Sequence, residues 1–184
     1  MKKILFVVDP QNDFITGSLA VEGAENAMRN LAEYIKNTRE EYEQIFITMD
    51  SHEEKHCSFQ ENGGQWPVHC VIKTKGWEIP EYILEVLPEH TGVLYKGYDK
   101  EEYSIFESDY MYTTLGFLHI ASCTDEIQID VCGIAGDYCV LNTIKDLVKY
   151  KFGSQLNILT KYIVSIDGGE TLNNYINENN LKHD

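Results

Sequence analysis

Short aliphatic runs alternate along this chain with segments whose apolar residues recur at helical spacing. Residues 4–8 form a continuous apolar run, as expected of a strand that is buried on both faces. Similar short runs follow at residues 45–47, 92–95, 127–132 and 156–159. Helical patterns lie between and after these runs, at residues 24–42, 110–122, 140–148 and 170–179, with a shorter one after Pro80. Because each helical crossover returns the chain to the same edge, successive strands must pair in parallel.

This alternation predicts an α/β fold of three layers, a doubly wound, mostly parallel sheet with helices on both faces. Five strands are identified and residues 180–184 supply no obvious sixth, so we expect a five- or six-stranded sheet. A chain of 184 residues can bury one full core, and we expect a single domain over residues 1–184. Residues 50–77 lack periodicity but contain three histidines and both tryptophans, which indicates a functional loop.

Charge and apolar content exclude several classes of protein. The 30 acidic side chains against 15 basic ones give a net charge of −15, which argues against nucleic acid or an anionic membrane as partner. No apolar stretch approaches the length of a membrane span, and the N-terminal run is too short for a signal peptide. The five cysteines form no regular framework, so we expect free thiols in a reducing cytoplasm.

Chemically useful side chains stand where the predicted strands end. They are an acid, a carboxylate and imidazole pair, a lysine and a thiol: Asp9, Asp50, His52, Lys96 and Cys139. In an open α/β sheet, ligands bind at the carboxyl ends of the strands. This set supplies the parts for cysteine-based acyl transfer beside a metal ion.

Cys139 is the candidate nucleophile. It lies at the first turn of the helix after the fourth strand, where unpaired N–H groups and the helix dipole favour thiolate and can hold an oxyanion. The alternative is a small apolar residue at a helix start. Cys57 is the main competitor, but no helix dipole is available to activate it in its loop.

Asp9 and Lys96 are the candidate partners of the thiol. A carboxylate on the neighbouring strand edge can accept the thiol proton, although Asp9 could instead cap the turn before Pro10. Lys96 could be an ordinary surface charge. Buried between a carboxylate and a thiol, its ammonium group would hold both in their ionised forms.

Asp50, His52 and His69 offer one carboxylate and two imidazoles to a metal ion. Such a set leaves coordination positions open, as catalytic sites do, although a loop rich in histidine can show this spacing by chance. We expect one divalent ion, with zinc first and iron or manganese as alternatives. Whether His56 or Glu61 is a further ligand stays open.

Aromatic side chains in loops at this edge could hold a flat ring. Phe14, Trp66 and Tyr103 are placed to do so. Each could equally close a small core within its own loop, and for Tyr103 that interpretation is preferred.

Five motifs in order resemble the nicotinamidases of the isochorismatase-like cysteine hydrolase family. The resemblance covers residues 3–165, and the motifs are Val-Asp-Pro-Gln-Asn-Asp-Phe at 8–14, Asp-Ser-His at 50–52 with His-Cys-Ser-Phe at 56–59, Gly-Gly-Gln-Trp-Pro-Val-His-Cys-Val at 63–71, Tyr-Lys-Gly at 95–97, and Gly-Ile-Ala-Gly-Asp-Tyr-Cys-Val at 133–140. It implies hydrolysis of nicotinamide to nicotinate and ammonia through a cysteine thioester, a step of NAD salvage.

The resemblance also implies a role for each matching residue. Cys139 would be the nucleophile, Asp9 the proton shuttle and Lys96 the third member of the triad. The metal ion on Asp50, His52 and His69 would bind the ring nitrogen, with Phe14, Trp66 and Ala135 around the substrate. The Ile134–Ala135 peptide would be cis, with the N–H groups of Ala135 and Cys139 forming the oxyanion hole.

Three positions depart from the family pattern. Ser51 stands where a large aromatic residue is usual, Glu53 where proline is common, and Gly136 where threonine is usual. The first two lie beside metal ligands and could alter the metal preference. None of the three removes a catalytic group.

Three other interpretations stay open. A metal-independent hydrolase of the superfamily, acting on another amide, an N-carbamoyl or a vinyl-ether substrate, would need only Asp9, Lys96 and Cys139. A ferrous oxygenase would use the carboxylate and two histidines instead. A binding module would hold a ligand without turnover.

The expected partner is a small molecule, nicotinamide or a pyrazinamide-like carboxamide. We expect neither nucleic acid nor membrane as a partner. We also expect the chain to form homo-oligomers.

Overall fold

A computed structural model describes residues 1–184, apart from the side chain of Thr124. Its centre is one sheet of five parallel strands in the order β3-β2-β1-β4-β5, which confirms the predicted fold class. The strands are β1 (Lys2–Val8), β2 (Tyr42–Asp50), β3 (Gly92–Lys96), β4 (Ile127–Ile134) and β5 (Leu156–Val164).

Six helices surround the sheet, with short 3-10 turns between them. They are α1 (Asn12–Ile15), α2 (Ala24–Thr38), α3 (Glu81–Leu84), α4 (Met111–Thr124), α5 (Cys139–Lys149) and α6 (Glu170–Glu178). Among the described residues, none of the helices has both the length and the apolar character needed to cross a bilayer.

The first strand explains why the fold has three layers. Ile4, Phe6 and Val8 pack into the core formed with α4, α5 and α6. Leu5 and Val7 pack into the opposite core, with α1, α2 and α3. Since successive side chains of a strand point to opposite faces, a wholly aliphatic strand requires a cover on both sides.

All five strands are longer than their apolar runs predicted. The helix predicted over residues 24–42 ends at Thr38, and Tyr42 instead begins β2. β4 continues through Gly133 to Ile134, and β5 continues to Val164. The extension of β5 begins in a polar stretch that includes Lys161, which lies partly in solvent and therefore lacks the apolar pattern. The chain end adds no sixth strand among the described residues, and His183 makes only an isolated bridge to Ile158.

The central position of β1 creates the cleft of the molecule. From β1 the chain passes to β2 and β3 on one side, and the later strands β4 and β5 lie on the other. The loops after β1 and β4 therefore diverge at their carboxyl ends, and a ligand crevice forms at such a switch point. Asp9 follows β1 there, and Cys139 begins the helix after β4.

Gly133 allows β1 and β4 to approach closely beside this crevice. Its φ angle is +121°, and a Cβ atom there would lie 2.1 Å from the carbonyl oxygen of Val8. Gly116, within α4, has open space around the same position. These two glycines therefore make a matched pair for substitution.

We expect Gly133→Ala to lower the free energy of unfolding by more than about 1 kcal/mol, because alanine fits neither the φ angle nor the space. Gly116→Ala should raise it by about 0.5–1 kcal/mol, since alanine is the better helix former. Urea unfolding of both variants and the wild type measures the two changes. Equal stability of the two variants would contradict the packing described for Gly133.

Candidate active site

The side chain of Lys96 lies at the centre of a buried cluster. Its Nζ atom is 2.8 Å from Oδ2 of Asp9 and 3.5 Å from Sγ of Cys139, and it is in close contact with Oδ1 of Asp50. All four residues are buried, with Lys96 exposed by only 2%. The structure therefore brings together the acid, lysine and thiol that the sequence placed at three strand ends.

The strand register accounts for this convergence. Asp50 and Lys96 are paired neighbours at the ends of β2 and β3, and Val8 pairs with Thr48 and Gly133 on its two sides. Asp9 turns out of β1 with a positive φ of 46°, and the hydroxyl of Thr48 donates a 2.7 Å hydrogen bond to its Oδ1. Parallel pairing thus fixes which strand ends become neighbours.

Lys96 and Asp50 form a charged pair. Burial alone would lower the pKa of Lys96, but the carboxylates of Asp50 and Asp9 raise it well above its usual value. Burial also opposes charge on Asp50, but the Lys96 ammonium and the adjacent His52 hold the pKa of this carboxyl below its usual range. Both groups therefore carry their charges at neutral pH.

Asp9 and Cys139 respond to burial in the opposite way. Burial raises the pKa of Asp9, and the attraction of Lys96 offsets only part of that rise. Burial likewise raises the pKa of the Cys139 thiol well above its usual value, despite the nearby ammonium. Desolvation therefore opposes the thiolate that the ammonium of Lys96 favours, and the preference for thiolate stays a prediction.

The turn before α5 leaves two N–H groups near the sulfur. The Ile134–Ala135 peptide is cis, as the family resemblance implied. The backbone N–H groups of Ala135 and Cys139 donate to no acceptor among the residues that the structure describes. They are available to a developing oxyanion beside Cys139.

A second cluster offers ligand atoms to a metal ion. One oxygen of Asp50 and one nitrogen each of His52 and His69 lie within 4.8 Å of one another, and all three residues are buried. Nε2 of His52 is 3.7 Å from Oδ2 of Asp50. Two imidazoles and a carboxylate suit a divalent metal ion with open coordination positions.

Backbone carbonyls orient both imidazoles for this purpose. Nδ1 of His52 is 2.5 Å from the carbonyl oxygen of Gly97, and Nδ1 of His69 is 2.7 Å from that of Pro67. Since a carbonyl can only accept, each Nδ1 carries a proton, which leaves Nε2 as the ring nitrogen that could bind a metal ion. Such outer contacts are usual around metal-binding histidines, so the residues present fit a divalent ion.

His56 is bound differently. Its Nε2 donates to the carbonyl oxygen of Lys100 at 3.0 Å, and its Nδ1 accepts from Ser58. Its ring stacks on that of His52, with centroids 4.1 Å apart. Glu61 is exposed and lies outside the cluster. Neither His56 nor Glu61 offers a free ligand atom at this cluster. The candidate metal ligands are therefore Asp50, His52 and His69.

An aromatic cleft connects the metal cluster to the sulfur. Phe14, Trp66 and Ala135, which were predicted to contact substrate, line it together with Asp50, His69 and Cys139. Tyr103, for which a role within its own loop was preferred, also lines the cleft, as do four side chains that were absent from the prediction: Leu19, Val21, Tyr138 and Ile166. Its free volume is about 30 Å³, enough for roughly one or two water molecules.

Tyr103 and Tyr138 complete the outer side of this cleft. The hydroxyl of Tyr103 accepts a 3.2 Å hydrogen bond from Nε1 of Trp66, and the Trp66 ring meets that of Tyr138 edge-on. Tyr103 therefore faces the site rather than only its own loop. Tyr138 immediately precedes Cys139 in the chain, and this position could have indicated from the sequence that Tyr138 lies at the cleft.

The three departures from the family pattern have local explanations in two cases. The Ser51 hydroxyl accepts a hydrogen bond from Nε1 of Trp77 at 2.9 Å. A Cβ atom on Gly136 would lie 2.1 Å from Oγ of Ser165 and 2.8 Å from Cγ2 of Ile163, so any other residue there requires these side chains to move. Nothing in the structure explains Glu53.

Comparison with known proteins identifies the family. The isochorismatase domain model matches residues 3–153. The nicotinamidase of Saccharomyces cerevisiae is 28% identical over 98% of this chain and 96% of its own. The chain belongs to the isochorismatase domain family.

Two solved structures share the whole fold. The pyrazinamidase of Pyrococcus horikoshii, crystallised in complex with zinc, has a TM-score of 0.84 and 31% identity, covering 100% of this chain and 99% of its own. The PnC1 protein of L. infantum, in complex with nicotinate, has a TM-score of 0.84 and 26% identity, covering 99% and 91%.

We expect His69→Ala to weaken zinc binding by more than about 100-fold, because losing a ligand costs more than losing an outer contact. His56→Ala should weaken it by only about 10-fold, since both His56 nitrogens are already engaged. Equilibrium dialysis with metal analysis compares the two. A larger loss for His56→Ala would contradict the three-residue set.

Proposed function

We propose that this protein is a nicotinamidase, which hydrolyses nicotinamide to nicotinate and ammonia in NAD salvage. The observation that carries the proposal is the contact of Lys96 with Asp9, Asp50 and the Cys139 sulfur beside an aromatic cleft. It is supported by the nicotinamidase and pyrazinamidase relatives.

The first half of the reaction forms a thioester. Asp9 takes the thiol proton as Cys139 attacks the amide carbon, and its raised pKa suits it to hold that proton. The N–H groups of Ala135 and Cys139 stabilise the oxyanion. Asp9 then gives the proton to the amide nitrogen, the carbon–nitrogen bond breaks and ammonia leaves.

The second half releases the acid. Asp9, ionised again, takes a proton from water as the water oxygen attacks the thioester carbon. The carbon–sulfur bond breaks, the proton passes from Asp9 to sulfur, and the product leaves as nicotinic acid, which gives its proton to water to become nicotinate. Lys96 keeps its proton throughout, because its pKa is well above neutral. Its fixed charge stabilises the ionised form of Asp9 whenever that residue acts as base.

We propose that Asp50, His52 and His69, in the loop of residues 50–77, bind one zinc ion. When bound, this ion supplies a Lewis acid for the nitrogen of the substrate ring. His52 and His69 present Nε2 to it, since their Nδ1 atoms donate to carbonyl groups. The zinc of the Pyrococcus horikoshii relative supports this choice of metal.

Phe14 and Trp66 are proposed to pack on the substrate ring. Both line the cleft between the metal cluster and Cys139. If the cleft selects substrates by a flat ring that has a nitrogen atom for the metal ion, other pyridine and pyrazine carboxamides should also be substrates.

A cytoplasmic location and self-association also belong to this proposal. All five cysteines are free, as in a reducing compartment.

Helix α4 contains no Asp, Glu, Lys or Arg, and its Tyr112 is 80% exposed. An uncharged surface on a chain of net charge −15 is suited to contact a second copy, which sedimentation would detect.

We expect Cys139→Ala to abolish ammonia release from nicotinamide, and Asp9→Asn to lower kcat by about 10²–10⁴-fold through loss of the general base. An assay of ammonia with the purified variants measures both effects. Cys123→Ala is the matched control, because Cys123 is exposed on α4 and does not line the cleft. Release that persists in Cys139→Ala would overturn the mechanism, and none from the wild type with zinc would overturn the substrate.

Metal removal gives a separate test. Dialysis against a chelator should lower kcat/KM for nicotinamide, because the substrate ring nitrogen loses the metal ion that binds it. The Cys139 thiol is unchanged by this treatment. Added zinc should restore it. Full activity in protein shown by elemental analysis to be free of metal would favour the metal-independent alternative.

A further inference from the structure

The segment of residues 97–102 covers the outer side of the metal cluster. The carbonyl oxygen of Gly97 accepts from His52, and that of Lys100 accepts from His56, whose ring stacks on His52. The backbone N–H of Glu53 adds a 3.2 Å bond to the carbonyl oxygen of Tyr98. The orientation of His52 therefore depends on the conformation of this segment.

Glu102 closes the segment on itself. Its Oε2 accepts a 2.7 Å hydrogen bond from the backbone N–H of Gly97, and its Oε1 lies 2.8 Å from Nζ of Lys100. The side chain of Glu102 is only 6% exposed, so this carboxylate is enclosed rather than solvated. A buried carboxylate that accepts a backbone N–H holds that backbone firmly.

Gly97 links the hydrogen bond from Glu102 to the position of the His52 imidazole. Its φ angle is +71°, and a Cβ atom there would lie 2.7 Å from Cε1 of His52. The backbone of Gly97 thus lies directly against the His52 ring, and its carbonyl fixes the proton on Nδ1. A shift of Gly97 would move both the ring and its hydrogen-bond acceptor.

We propose that Glu102 is a positioning residue for the metal site. It holds Gly97 in place, and Gly97 in turn points Nε2 of His52 at the ion. This inference rests on the proposed metal-dependent function but concerns metal affinity, which is measured without substrate. Outer contacts of this kind change metal affinity by about 10–100-fold.

Zinc affinity, measured by competition with a chromophoric chelator, tests the proposal. We expect Glu102→Ala to raise the Kd for zinc by about 10–100-fold. Glu102→Gln should recover most of the affinity, because its amide oxygen can still accept from Gly97. Glu102→Ser, whose side chain is too short to reach Gly97, replaces the alanine variant if that one fails to fold.

Glu107→Ala is the matched control. Glu107 also binds backbone N–H groups, those of Tyr103 and Ser104, but these do not touch the metal histidines. The Glu107→Ala variant should bind zinc with the wild-type affinity. Cobalt(II) in place of zinc adds a spectroscopic readout, since a displaced His52 weakens and shifts the visible absorption.

Three results would overturn the proposal. The first is a zinc affinity of Glu102→Ala within about three-fold of wild type. The second is an equal loss of zinc affinity in Glu107→Ala. The third is a Glu102→Gln variant that binds zinc as weakly as Glu102→Ala. Wild-type protein that binds zinc but releases no ammonia would overturn the proposed function and leave the role of Glu102 intact. Wild-type protein that binds no zinc would overturn both the metal site and this role.

Discussion

The buried ammonium of Lys96 is the interaction on which the rest of the site depends. Transfer of a lone charge into a protein interior is very costly, so Lys96 requires the two carboxylates that face it. Asp9 and Asp50 are equally buried, and each relies on the same ammonium for its charge. Loss of Lys96 would leave two buried carboxylates without the ammonium that they share. Catalytic chemistry and stability are therefore linked in the same three side chains.

Asp50 joins the two halves of the site. One of its oxygens contacts Lys96, and the other lies near Nε2 of His52 in the metal cluster. The side chain of Gln11 holds the same residue from behind, accepting from the Asp50 N–H and donating to its carbonyl oxygen. A cation at the metal cluster and the ammonium of Lys96 therefore act on the same carboxylate, that of Asp50. The charges near the substrate ring and those near its amide are coupled through this one residue.

Strand ends could be predicted from the sequence because aliphatic runs mark strands and parallel pairing sends their carboxyl ends to one edge. That reasoning brought Asp9, Lys96 and Cys139 together correctly. The desolvation of the Cys139 thiol could not be predicted, since it depends on residues distant in the chain. Glu102 was also beyond reach, because it lies in a loop without periodicity and acts through a contact that spacing does not encode. Tyr103 was a candidate, but the sequence could not choose between the site and the core of its own loop.

The narrowness of the aromatic cleft has a kinetic consequence. With free volume for only about one or two water molecules, the cleft must widen before a flat heterocycle can enter. Motions of residues that line a site commonly set the rate of an enzyme whose chemical steps are fast. Turnover would then report how often the cleft widens, rather than how readily a sulfur attacks.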